Sequence, residues 1–250
     1  MNTPCAQCVI LVGGQGARLG EAVQHTPKPM LDIGGEPFLT HLIREIERFG
    51  FSRFLLLAGY RKEVIEEYFT RLDILMPQGI SVTIMPEPEP LGTGGALLAA
   101  APGLDDGFLL CNGDSLCLCN LLPLMKPFHS SGTLARLALM PIEHNERYGE
   151  VLVEGGFISG FRERSSGNKP GLMNAGIYFM RKSILEAFPI GKSSLEKDVF
   201  PALAAKRLLE FHVVEPNFFI DIGIPEDLRR AALEIPEALR RLNLKHELSI

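Results

Sequence analysis

With 250 residues, 46% hydrophobic and 22% charged, the chain is long enough for one large domain or two small ones with a sizeable core, and its composition is that of an ordinary globular protein. A formal charge of −5 gives no basic field, so nucleic acid and anionic membrane are not expected partners. No apolar run reaches the ~20 residues of a bilayer span, and the first residues lack a signal peptide's basic start and long apolar stretch, so a cytoplasmic protein is expected.

Taken in chain order, the run CVILV (8–12) predicts a strand ending at a glycine loop, followed by a helix with Pro37 near its first turn, apolar residues at Phe38, Leu39, Leu42, Ile43, Ile46 and Phe49, and Gly50 as its stop. Strands are then expected at FLLLA (54–58), SVTIM (81–85), FLLCN (108–112) and LARLALM (134–140), with helices at 61–69, 94–101 and 120–128 between them. Several of these runs lack polar alternation, as strands do when both faces of a parallel sheet are covered. After about residue 145 the rhythm shifts to short strands, EVLVE, FISGF, AGIYFM, EFHVV and FFID, separated by two helices. Ser193 and Glu196 have the spacing of a capping box, and Pro225-Glu226-Asp227 opens the last helix with negative charge at its positive end. No linker or internal repeat interrupts the chain. The expectation is one α/β domain over 1–250, a Rossmann-like, doubly wound mixed sheet. A nucleotide-binding half would span about 1–145, and a more β-rich half, about 146–250, would complete the cleft.

The cysteines (Cys5, Cys8, Cys111, Cys117, Cys119) are odd in number, which fits reduced thiols better than a disulfide framework. Cys5-x-x-Cys8 and Cys117-x-Cys119 offer four sulfurs for zinc, but Cys8 and Cys111 fall in runs that read as buried strands, so no zinc site is expected.

The segment ILVGGQGARLGEAVQHTPKPM (10–30) carries the most chemistry. Leu19 stands where a dinucleotide fingerprint needs glycine, and no G-x-x-x-x-G-K-[ST] phosphate loop occurs anywhere. What remains is a strand running into Gly13, Gly14 and Gly16, then Arg18, and ten residues later Lys28 between two prolines. Glycines let backbone N–H groups approach phosphate oxygens, and Arg18 and Lys28 supply positive charge. A glycine turn beside two solvated cations is the plainer alternative; the coincidence of all the parts favours an anion site. Asp114 ends the apolar strand FLLCN, and strand carboxyl ends are where open α/β sheets bind ligands.

GGQGARL followed by PKPM resembles the signature of sugar-1-phosphate nucleotidyltransferases, with Ala17 where threonine is usual. EPLGTGGAL (89–97), NGDS (112–115), ERYGEV (146–151), MNAGIYF (173–179), SLEKDVF (194–200) and FIDIGIPEDL (219–228) follow in the family's order, most like the branch that makes GDP-D-glycero-α-D-manno-heptose. The resemblance implies transfer of a nucleotidyl group from a nucleoside triphosphate, GTP in that branch, to a sugar 1-phosphate, with pyrophosphate as leaving group. It implies catalytic roles for Arg18, Lys28, Asp114 and Asp221, the two aspartates holding Mg²⁺, a hard cation that prefers oxygen ligands. It also implies nucleotide contacts at Gly13, Gly14, Gly16, Glu87, Gly92, Gly94 and Gly95, and sugar-phosphate contacts at Gly149, Glu163, Arg164 and Asn174. Arg164 stands where the family commonly has lysine, which keeps the charge but changes the reach.

Residue chemistry alone does not choose the base, and mannose-1-phosphate guanylyl transfer or uridylyl and thymidylyl transfer to another sugar remain open. A silent nucleotide-sugar-binding regulator would be expected to lack active-centre charges, yet Arg18, Lys28, Asp114 and Asp221 are all present. A glycosyltransferase of related fold would carry Asp-x-Asp, which the chain lacks. The sequence leaves a homo-oligomer open.

Overall fold

The computed structural model describes residues 6–72, 79–143, 148–163 and 169–247. The strands are β1 (Gln7–Leu11), β2 (Asp32–Ile33), β3 (Glu36–Pro37), β4 (Arg53–Ala58), β5 (Ser81–Pro86), β6 (Gly107–Asn112), β7 (Ser115–Leu118), β8 (Ala135–Ile142), β9 (Glu150–Glu154), β10 (Phe157–Arg162), β11 (Gly171–Arg181), β12 (Leu209–Val213) and β13 (Phe218–Asp221). The helices are α1 (Phe38–Glu47), α2 (Lys62–Leu72), α3 (Gly92–Ala99), α4 (Phe200–Ala204) and α5 (Pro225–Glu247).

Nine strands form one mixed sheet in the order β5-β4-β1-β6-β11-β8-β12-β10-β9. The first four are parallel; β11 then runs antiparallel to both β6 and β8. Strand β8 pairs with β11 and, in parallel, with β12, so a strand from the first 145 residues is inserted among strands of the remainder. Successive side chains on β1 go to opposite faces: Ile10 joins a core containing Phe38, Leu39 and Ile43 of α1 and Ile235 of α5, and Val9 joins another containing Leu97 of α3 and Phe200 of α4. Both faces are therefore covered over β1, β4 and β6, which is why these parallel strands read as unbroken apolar runs, whereas β5 at the sheet's edge is partly exposed.

The expected helix at 120–128 is instead a single 3-10 turn, Leu122–Met125. Pro123 and Pro127 lack the N–H groups that a helix needs. The segment is held instead by Arg136, a buried side chain on β8 that donates to the carbonyls of Pro123, Leu124, Lys126 and Pro127 at 2.7–3.3 Å. Its charge is answered by buried Glu210 on β12, with Nη2 to Oε2 at 2.6 Å.

The capping box expected from Ser193 and Glu196 is displaced by one residue. Ser194 Oγ accepts from Lys197 N at 3.3 Å, while Asp198 Oδ2 accepts from Ser194 N at 2.7 Å. Ser193 is unavailable because its backbone bonds to α3. The first turn, Leu195–Val199, is a wide π turn leading into α4.

Cys8, Cys111, Cys117 and Cys119 are free and buried, with Cys8 Sγ 3.9 Å from Cys111 Sγ. A hydrogen bond with Cys119, together with burial, pushes the Cys117 thiol far above the ordinary range. Cys5 lies outside the described residues. No helix among the described residues is long and apolar enough to cross a membrane.

Candidate active site

Beneath the site lies a two-stranded ribbon that sequence periodicity showed only on one side, and the residues flanking it, Asp114 and Gly223, line the cleft. Strand β7 pairs antiparallel with β13, placing Ser115 opposite Asp221, so Asp114 and Asp221 come side by side from positions far apart in the chain. Ile222 N donates to the Asp114 carbonyl at 3.0 Å and closes the ribbon's end. Lys28 enters from the other wall. It begins a 3-10 turn, Lys28–Met30, fixed by Pro27 and Pro29, and is 8% exposed. Its Nζ lies 2.7 Å from Asp114 Oδ2 and 3.6 Å from Asp221 Oδ1. Gly16, at φ 62°, packs its bare Cα against the lysine stem. A β-carbon there would be strained and would sit 3.3 Å from Lys28 Cβ.

Above this floor opens a cleft of about 870 Å³. Gly13, Gly14 and Gly16, Arg18, Lys28, Glu87, Gly92 and Asp114 all line it. Arg18 is exposed at the rim and makes no hydrogen bond or ion pair to the described residues. Glu87 stands against the start of the glycine loop, where a β-carbon on Gly13 would collide with its Oε1. Burial raises the Glu87 pKa, opposed by the Leu91 N–H, which donates to Oε2 at 3.2 Å.

The three glycines at the start of α3 have a packing role that sequence reasoning did not see. The segment 191–195 lies across them. Ser193 O accepts from Gly94 N at 2.9 Å and Ser193 N donates to Leu91 O at 2.9 Å. Thr93 Oγ1 accepts from Leu195 N at 2.8 Å. A β-carbon would fall 2.5 Å from Ser193 O at Gly92, 2.6 Å from Ser193 Oγ at Gly94 and 2.6 Å from Gly191 O at Gly95. Gly92 still faces the cleft, whereas Gly94 and Gly95 are buried beneath this strap.

The strap also delivers Glu196, which the sequence had marked only as a capping residue. Glu196 lines the cleft, and its Oε1 accepts from Asn174 Nδ2 at 3.3 Å. The cleft wall strips water from its carboxyl, and Asp114 and Asp221 repel its charge, so its pKa is raised. Asn174 sits at a bulge in β11, its Oδ1 accepting from Gly176 N at 3.0 Å and its Nδ2 donating to the buried Tyr178 hydroxyl at 2.8 Å. The signal for Glu196 was a carboxylate in SLEKDVF that capping did not need, because Asp198 performs that task.

Gly149 and Glu163, at the ends of β9 and β10, are exposed and are not among the residues lining the cleft. Arg164, with Glu146 and Arg147 of ERYGEV, lies outside the described residues. Among the described residues no group of three or more His, Cys, Asp or Glu side chains is arranged to hold a metal ion, so any cation here would rest on two protein carboxylates and on ligand or water oxygens.

The chain has relatives of similar sequence and fold. The chain is 35% identical over 232 residues to the D-glycero-alpha-D-manno-heptose 1-phosphate guanylyltransferase of Aneurinibacillus thermoaerophilus, covering 92% of this chain and 98% of that protein. It is 34% identical over 230 residues to the probable mannose-1-phosphate guanylyltransferase 2 of Oryza sativa subsp. japonica, covering 88% of this chain and 62% of that longer one. Among solved structures it resembles HddC from Yersinia pseudotuberculosis complexed with GMP-PN, with a TM-score of 0.78 and 31% identity over 91% of this chain and 98% of that one. Residues 7–238 match the nucleotidyl transferase family, and the chain belongs to it.

Proposed function

We propose that the protein transfers a guanylyl group from GTP to D-glycero-α-D-manno-heptose 1-phosphate, in the cytoplasm and with Mg²⁺, releasing pyrophosphate and forming GDP-heptose. The observation that carries the chemistry is the meeting of Lys28, Asp114 and Asp221 at the foot of a glycine-lined cleft large enough for a nucleotide. The base and sugar are supported by the names of the heptose relative and of HddC with its GMP-PN.

The donor chemistry fits a hard cation: two carboxylates converge on a single internal ammonium, which leaves one negative charge unanswered. Asp114 and Asp221 would hold Mg²⁺, which when bound supplies charge neutralisation to the polyphosphate. The residues of this chain do the rest. A sugar phosphate oxygen forms a bond to the α-phosphorus while the bond from that phosphorus to the bridging oxygen of pyrophosphate breaks. Repulsion between anions and loss of alignment are the chief obstacles. Backbone N–H groups of the glycine loop and the exposed Arg18 receive the β- and γ-phosphates, and Arg18 follows the charge as pyrophosphate departs. Lys28 answers the charge of the phosphate that attacks. Glu196 accepts from sugar hydroxyls and Asn174 stands beside it, a role supported by the place of Glu196 in the cleft lining and by the bond it receives from Asn174 Nδ2.

A panel of GTP, ATP, UTP, CTP and dTTP against heptose, mannose and glucose 1-phosphates, read by pyrophosphate release, tests this. The expected order is manno-heptose, then mannose, then glucose, because an epimer leaves buried hydrogen-bonding groups unpaired while an extra carbon at the sugar's far end needs only room. A clear preference for UTP or dTTP, or for glucose 1-phosphate, would overturn the substrate assignment and leave nucleotidyl transfer standing.

A further inference from the structure

The glycine loop needs a defined shape to present Arg18, and its own residues supply little of it. Gly16 and Gly20 adopt positive φ, at 62° and 57°, and Gly14, Gln15, Ala17, Arg18 and Gly20 are exposed. Leu19 and Val23 are its buried side chains, packed on Leu31 in a small cluster apart from the main cores. Yet the loop is fastened at both ends by one residue that lies outside it. At the entry, Tyr60 N donates to Gly13 O at 3.3 Å; at the exit, the Tyr60 hydroxyl lies 3.1 Å from both Val23 O and Gln24 O, sharing one proton between two carbonyls.

The neighbouring residue shows that this arrangement is imposed. Arg61 has φ 53°, a left-handed conformation that costs a non-glycine residue free energy, and its guanidinium reaches the same Gln24 carbonyl at 3.3 Å. The turn after β4 is thus bent so that two consecutive side chains converge on the loop's exit. The Tyr60 ring also lines the cleft.

We infer that Tyr60 is a positioning residue for nucleotidyl transfer: by tying residue 13 to residues 23 and 24 it sets the curvature of the loop that carries Arg18. The inference rests on the assignment of residues 13–24 to the triphosphate. The hydroxyl acts through the loop and touches no reacting atom.

Tyr60→Phe removes the exit bond and keeps the ring and the backbone donor. Arg18 is exposed, but cleavage after it requires the buried Leu19 to be released, so trypsin reports opening of the loop. In full-length protein, Tyr60→Phe should speed tryptic cleavage at Arg18 by about fivefold, the equivalent of one lost hydrogen bond, with cleavage elsewhere unchanged. Arg61→Ala should act in the same direction. In the assay with the preferred substrate pair, Tyr60→Phe should lower kcat by about five- to tenfold while the KM for the sugar phosphate stays within about twofold. Unchanged cleavage at Arg18 in Tyr60→Phe overturns the tether, whatever the activity. A kcat that stays at wild-type level in Tyr60→Phe while Arg18→Ala collapses it overturns the positioning role of Tyr60 and leaves the loop's role standing. A wild-type kcat in Arg18→Ala overturns the triphosphate assignment beneath it.

Discussion

Lys28 and Asp114 form a 2.7 Å ion pair across the floor of the cleft, linking a proline-held turn near the start of the chain to the end of β6. The lysine side chain is 10% exposed and the aspartate 42%, so the ammonium is committed to the site while the carboxylate still faces the space where a ligand enters.

Asp114→Asn and Asp221→Asn should each lower kcat by at least about 10²–10³-fold with little change in fold, since asparagine keeps the shape and the Ile222 N–H bonds to the backbone carbonyl of Asp114. Turnover at saturating Mg²⁺, Mn²⁺ binding by electron paramagnetic resonance and circular dichroism together check this. Near-normal turnover in either variant would remove the metal assignment.

Gly94→Ala should cost about 1–3 kcal/mol, because its β-carbon would fall 2.6 Å from Ser193 Oγ in a tightly packed contact. Ser193 Oγ is buried and has no hydrogen-bond partner among the described residues, so Ser193→Ala alone should be neutral or slightly stabilising. The double variant should recover part of the Gly94→Ala loss. Thermal melts of the four proteins form a double-mutant cycle; strict additivity would show that the two sites do not touch.

Glu196→Gln should weaken sugar phosphate use yet raise Tm slightly near pH 8. A carboxyl whose folded pKa is raised penalises the folded state once the unfolded chain ionises above about 4.5, so wild type and variant should melt alike at pH 4 and diverge above it. Water in the open cleft keeps the effect small. A variant less stable than wild type at pH 8 would contradict the electrostatic account.

Glu210→Gln should destabilise by about 3–5 kcal/mol near neutrality, because it leaves Arg136 buried beside a neutral partner. Burial opposes ionisation of Glu210, but bonds from Arg136, Thr133, His129 and Ser130 N outweigh it and hold its pKa at about 2 against an ordinary 4.5. With a depressed folded pKa, this stabilisation is complete above the unfolded value and is lost as pH falls toward 2. Acid unfolding of the variant should therefore be flatter than wild type between about pH 4.5 and 2. Equal slopes would exclude Glu210 as a source of acid lability.

Strands β1, β4 and β6 were legible in the sequence because burial on both faces makes them continuous apolar runs, and α1 was legible because its apolar stripe has helical period. The turn at 122–125 was not, since Leu121, Leu124 and Met125 imitate a helix stripe while the decisive partner, Arg136, is a side chain on β8. Lys28 and Asp114 stood out through local motifs. Their meeting with Asp221 depends on the β7/β13 register, which residue pattern does not contain and the family resemblance supplied. Glu196 was misread because a carboxylate near a helix start serves capping far more often than a cleft, and the packing of Gly94 and Gly95 against residues 191–193 was not legible because a glycine's neighbour is invisible until the fold brings it there.

The insertion of β8 between β11 and β12 bears on how the protein is made. By the time residue 112 has left the ribosome, β5, β4, β1 and β6 are all available and pair in parallel with one another. The next strand of that sheet to emerge, β8, has no partner among them: it must wait for β11, which ends at Arg181, and for β12, which ends at Val213. For that interval an apolar strand and the open edge of β6 are both exposed in the nascent chain, the hazard that long-range pairing brings. A truncation near residue 145 would make the wait permanent, leaving a fragment with an unpaired strand and an uncovered sheet edge.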